Sequence, residues 1–154
     1  MPQFRTKRRV QHSAADMFDL VADVELYPQF VPLCERLRVR TRTAGENGRE
    51  TLVADMTVAY KVMRETFVSR VTLDRPNLKI QVEYLDGPFS TLDNRWTFTP
   101  AGEGACEVEF FIAYEFKSRV LGMLMGAMFE AAFRRFAEAF ERRADAVYGR
   151  VSTS

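Results

Sequence analysis

The chain is 154 residues long, 47% of them apolar, with 22 Lys and Arg against 21 Asp and Glu. That length supports one domain with one sizeable core. The apolar share excludes intrinsic disorder, and the near-balanced charge excludes a partner chosen by net charge alone.

In chain order, QFRTKRRVQH reads as a strand with a basic outer face. SAADMFDLVADV reads as a short helix, with Ser13 as N-cap and Met17, Phe18 and Val21 at helical spacing. ELYPQFVPLC follows, where Pro28 and Pro32 bracket the apolar pair Phe30 and Val31 in a predicted bend. RLRVRTRT alternates, Leu37, Val39 and Thr41 on one face against Arg36, Arg38, Arg40 and Arg42 on the other.

After a turn at 45–48, one strand aligns Leu52, Ala54, Met56, Val58 and Tyr60. The next aligns Met63, Phe67, Val71 and Leu73, with Glu65 and Ser69 on the same parity. LKIQVEYL alternates Leu78, Ile80, Val82 and Tyr84 against charged and polar residues, and DGPF then breaks the chain. LDNRWTFTP carries Trp96 and Phe98 on one face, and Asn94 shares it. CEVEFFIAYEF aligns Val108, Phe110, Ile112, Tyr114 and Phe116 against Glu107, Glu109 and Glu115.

The period then changes to helical. Met125, Phe129, Ala132, Phe133, Phe136, Phe140, Ala144 and Val147 recur at steps of three and four, predicting one helix over Arg119–Tyr148, about 45 Å long. Seven strands joined mostly by short turns make an antiparallel sheet. Its apolar face needs cover, and only the last helix is long enough. The expectation is an α+β helix-grip architecture, a curved antiparallel sheet wrapped on a long C-terminal helix. It forms a single domain over 1–148 with a frayed tail at 149–154. Strand order stays open.

No secretory signal is visible, and VLGMLMGAMF at 120–129 is only half of the ~20 apolar residues that span a bilayer. The expected compartment is cytoplasmic, with Cys34 and Cys106 as free thiols. Two cysteines and one histidine, His12, form no metal-site pattern. No nucleophile elbow, catalytic triad or phosphate-binding glycine loop is present either.

The aromatic-rich faces of sheet and helix admit two readings, an ordinary core or the walls of a cavity for an elongated apolar ligand. Glu65 on an inward parity needs a partner, unless a bulge turns it outward. Tyr60, Glu65 and Asn94 are candidate contacts for a ligand's polar head. The methionines and glycines at 122–128 suit an adaptable surface. Arg5, Lys7 and Arg9 complement Glu107, Glu109 and Glu115 if first and last strands are neighbours. Arg36, Arg38, Arg40 and Arg42 have fewer acidic complements, which makes them the candidate anionic-surface contacts.

YPQFVPLC, YKVMRETFVSRV, GPFSTLDNRWTF and FFIAYEFKSRVLG, in this order and followed by the aromatic helix, resemble the coenzyme-Q-binding START-like family, which includes bacterial ribosome association toxins. One departure is Leu33, where the family pattern has tryptophan. The resemblance implies a deep hydrophobic cavity that binds ubiquinone or a similar isoprenoid lipid without catalysis, supporting respiratory quinone function or biosynthesis. It places residues 27–33 at the cavity mouth and 120–129 along it or gating it. The expected ligand-binding set is Tyr27, Phe30, Val31, Leu33, Phe67, Trp96, Phe98, Phe110, Tyr114, Leu121, Met125, Phe129 and Phe133. Expected partners are a hydrophobic quinone or lipid, transiently the inner membrane face, and the ribosome on the toxin-like alternative; DNA is not expected. The third alternative is a cyclase/aromatase-type enzyme acting through Glu65, Asn94 and the tyrosines.

Overall fold

The computed structural model describes residues 3–149. In order they form β1 (Gln3–Val10), α1 (Ala14–Ala22), a 3₁₀ segment (Val24–Gln29), β2 (Cys34–Ala44), β3 (Arg49–Tyr60), β4 (Met63–Asp74), β5 (Lys79–Asp86), β6 (Phe89–Pro100), β7 (Cys106–Phe116) and α2 (Arg119–Tyr148). Residues 150–154 of the expected tail lie outside the described residues.

All seven strands form one antiparallel sheet in the order β1-β7-β6-β5-β4-β3-β2. Adjacent strands in sequence are adjacent in space, except that β1 pairs with β7. In that pairing Lys7 lies opposite Glu109 and Arg9 opposite Glu107. Arg5 and Lys7 both reach Glu109, whereas Arg9 donates to the Ala101 carbonyl, and Glu115 lies beyond the end of β1.

The fold is a helix grip. The Phe110 and Phe133 rings lie 6.4 Å apart, Phe116 and Phe129 5.5 Å, and Trp96 and Phe140 5.0 Å, so α2 crosses the concave face from the Phe116 end. Seven α2 residues are buried at three- and four-residue spacing, from Met125 to Ala144; Val147, on the predicted apolar stripe, is exposed instead because the helix runs past the sheet. Ser118 caps α2 by accepting from the Leu121 N–H, and Ser13 caps α1 by accepting from Asp16.

Packing of α2 on β1, β7 and α1 leaves the β2–β4 side of the concavity free. Arg8 of β1 bonds Glu141, and His12 Nε2 lies 2.7 Å from Asp145 Oδ1, fixing the C-terminal half of the helix. α1 closes the far end, its Phe18 packed on Phe98 at 5.9 Å.

Candidate functional site: an apolar cavity under the helix

Where the sheet curls away from α2 a cavity of about 100 Å³ remains. The sheet contributes Leu37, Met56, Phe67, Val71, Val82, Trp96 and Phe110, the helix Phe129, Ala132, Phe133, Phe136 and Phe140. The segment after α1 adds Val24, Tyr27, Val31, Pro32 and Leu33. Apart from the Trp96 indole, the polar side chains that the described residues bring to the wall are Tyr27, Ser69 and Asn94; no carboxylate or imidazole is among them.

Of the expected ligand-binding set, the structure places Tyr27, Val31, Leu33, Phe67, Trp96, Phe110, Phe129 and Phe133 on this wall, together with Asn94 from the head-group candidates. The others lie elsewhere. Phe30 packs outward, edge-on to Phe140 at 5.1 Å and under the Arg143 guanidinium. Phe98 is buried beneath Trp96 and α1. Tyr114 is spent on the core, ringed by Phe89, Phe116, Phe129 and Phe133. Met125 is fully buried core and Leu121 half-buried beside it, both off the cavity wall.

Tyr60 has the inward parity but ends β3 at a hairpin tip, exposed under Lys61. Glu65 faces Val58 in unbroken register, so no bulge turns it outward. It stays half-buried toward the strand end, off the wall, without a hydrogen bond or ion pair among the described residues.

The arginine row is corrected by a bulge. Register slips at Arg40, between Val39 opposite Ala54 and Thr41 opposite Val53, so Thr41 leaves the face of Leu37 and Val39. Arg42 then lies opposite the buried Leu52 and reaches Glu25 and Glu50, while Arg40 meets Asp55 at 2.8 Å. Only Arg36 and Arg38 of the four have no ion pair among the described residues.

Sequence reasoning missed Phe89, which it placed in a chain break. The residue opens β6, is fully buried, and contacts the rings of Phe67, Tyr84, Tyr114, Phe116 and Phe129. It also missed the lining role of Met56, Val71 and Ile112, whose parity was visible. The signal for Phe89 was Gly87, the residue that makes the turn possible: its φ is 144°, and a Cβ there would come within 2.7 Å of the Phe67 Cβ.

Loop residues 27–33 are stiffened rather than merely bent. The Tyr27 hydroxyl donates to the Val21 carbonyl, and burial pushes its pKa up, with the nearby Cys34 and Asp23 adding to the rise. Its ring therefore faces the cavity while its hydroxyl is occupied. Leu33 takes a left-handed backbone, φ 68°, and its carbonyl accepts from the Ala59 N–H at 2.9 Å. Burial also raises the Cys34 thiol to about 11.

The fold and this cavity define a START-like domain with an apolar cavity. The chain belongs to the polyketide cyclase/dehydrase and lipid transport family, which it matches over residues 10–141. It is 34% identical to the ribosome association toxin RatA of Escherichia coli K12 over 96% of this chain and 90% of that one. It is 31% identical to the mitochondrial coenzyme Q-binding protein COQ10 homolog B of Xenopus laevis, over 90% of this chain and 56% of that one. Among solved structures, the 18 kDa protein CC1736 of Caulobacter crescentus superposes with a TM-score of 0.79 at 33% identity, covering 97% of this chain and all (100%) of that one. The Zhui aromatase/cyclase of Streptomyces superposes at 0.75 with 17% identity, covering 97% and 99%, which is a likeness of fold alone.

Proposed function

We propose that the protein binds and chaperones ubiquinone or a similar isoprenoid lipid without transforming it. The observation that carries this reading is the cavity wall: aliphatic and aromatic apart from Ser69 and Asn94, with no acid–base pair among the described residues to drive chemistry. Each buried CH₂ of a ligand contributes about 0.8 kcal/mol, so an isoprenoid tail binds here with few polar contacts. The likeness to a coenzyme Q-binding protein supports the same choice of ligand.

At about 100 Å³ the cavity is smaller than the ~300–1,000 Å³ of ordinary ligand sites. Loading therefore widens it. The part built to yield is the start of α2, where Gly122 and Gly126 each weaken the helix by about 1 kcal/mol relative to alanine. Val120, Met123 and Leu124 lie exposed on the same turns. This apolar surface, rather than the arginine row, is the contact through which a membrane exchanges lipid with the cavity.

The test is organic extraction of purified protein followed by mass spectrometry, with Trp96 fluorescence read as quinone is added. A co-purifying quinone or saturable quenching is expected; absence of both overturns the reading.

A second reading, ribosome association, is favoured by the RatA relatives and by the two unpaired arginines Arg36 and Arg38. It predicts salt-sensitive co-sedimentation with ribosomal subunits that the double change Arg36→Glu/Arg38→Glu abolishes while lipid binding persists.

A further inference from the structure

Ser69 is buried, at 6% exposure, on the wall of the cavity, and its Oγ has no hydrogen-bond partner among the described residues. Its inward-facing neighbours on β4 are Phe67 and Val71, so an apolar residue would suit the position if the wall served packing alone. The opposite residue, Tyr84, uses its hydroxyl to accept the Phe89 N–H at 3.0 Å and does not turn to the serine. On the other side of β5, Asn94 Nδ2 donates to the Phe111 carbonyl at 2.9 Å. A side-chain amide carries two donor hydrogens, so one is left for another acceptor.

These two donors are not neighbours. Ser69 faces Tyr84 and Asn94 faces Val82, which sets them two strands apart and two residues offset, ~12 Å on a flat sheet, with the curl closing the gap on the concave side. A six-membered ring with an oxygen at each of two opposite positions, held by a hydrogen bond of about 2.8 Å at either end, suits such a spacing. A linear hydrocarbon, by contrast, leaves the Ser69 hydroxyl unpaired.

We propose that Ser69 Oγ and the second amide hydrogen of Asn94 form a polar subsite inside the apolar cavity. It takes the oxygens of a quinone-type ring and orients the ligand ring-inward, with its tail trailing toward the start of α2. This inference rests on the lipid-binding reading and adds to it the position and direction of the head group. It also gives Ser69 a function that its position on β4, among apolar neighbours, otherwise lacks.

The experiment compares two ligands with the same tail, a decyl-substituted benzoquinone and decylbenzene, each displacing a neutral fluorescent naphthylamine from the cavity. In Ser69→Ala the quinone is expected to bind about 5- to 10-fold more weakly, the effect of one hydrogen bond, while decylbenzene binds as in wild type. Asn94→Leu, which also frees the Phe111 carbonyl, is read through the same ratio of the two affinities. If Ser69→Ala weakens both ligands equally, or neither, the subsite is overturned and lipid binding stands. If neither ligand displaces the dye from wild type, the lipid-binding reading falls together with the subsite.

Discussion

A buried hydroxyl without a partner destabilises the empty protein, because it has lost water and gained nothing. Ser69→Ala should therefore raise the unfolding free energy of the ligand-free protein by about 1 kcal/mol in urea titrations. Lower stability would mean that the hydroxyl is paired. The two cysteines make a separate test. Burial raises both Cys34 and Cys106 from an ordinary value near 9 to about 11. At pH 8 both are protonated and enclosed, so a thiol reagent should label them only after unfolding. The sign of the pH dependence follows. Above pH 9 the unfolded chain releases thiol protons that the folded chain retains, so stability falls between pH 9 and 11. The raised Tyr27, Tyr84 and Tyr114 hydroxyls extend the same trend upward. Chemical denaturation at pH 8 and pH 10.5 measures it; equal stability at the two would contradict the burial of the thiols.

At the scale of elements, the sheet and its covering helix were legible because their signals are periodic. Alternation marked every strand, and the phenylalanine ladder gave α2 its observed span of Arg119–Tyr148. The arginine row shows where such a signal stops. One unpaired residue, Arg40, reverses the parity of everything after it, and nothing in RLRVRTRT announces the slip. Tyr60 shows a second limit: parity says which way a side chain points, not whether any element covers that end of the strand. Phe89 shows a third, since a glycine-proline turn conceals that the next residue is already a strand. Two glycines carry opposite predictions. Gly87→Ala forces a Cβ against Phe67 and a left-handed backbone, and should cost about 1–3 kcal/mol while disturbing the cavity wall. Gly126 has open space around it, so Gly126→Ala should stabilise by about 0.5–1 kcal/mol. If the start of α2 must yield for loading, the same substitution slows quinone uptake in stopped-flow quenching of Trp96. Faster or unchanged uptake would place the opening elsewhere.

At the scale of the molecule, the distribution of exposed apolar side chains is one-sided. Antiparallel register brings the end of β3, the start of β4, the end of β5 and the end of β7 to one rim of the sheet, where α2 begins. That rim carries Tyr60, Val62, Leu85, Val120, Met123 and Leu124, with Val62 94% and Met123 84% exposed. The remaining large exposed hydrophobics, Val147 and Tyr148, end α2. Lys61, Lys117 and Arg119 stand on the same rim without an ion pair among the described residues, beside the acidic Asp86 and Glu115. Exposed apolar side chains flanked by unpaired cations match the surface of an anionic bilayer, each cation adding about 1 kcal/mol near it. Among the described residues no helix is long and apolar enough to cross a membrane, so the proposed contact is a superficial one. The protein should co-sediment with vesicles containing phosphatidylglycerol and bind neutral vesicles more weakly. Met123→Asp with Leu124→Asp should remove binding to both vesicle types; Lys61→Glu with Arg119→Glu should weaken only the anionic case, by about two decades at low salt. Arg36→Glu with Arg38→Glu should leave both unchanged. If that last pair abolishes vesicle binding while Met123→Asp with Leu124→Asp does not, the membrane-facing surface is the outer face of β2, and the start of α2 is not the port for lipid exchange.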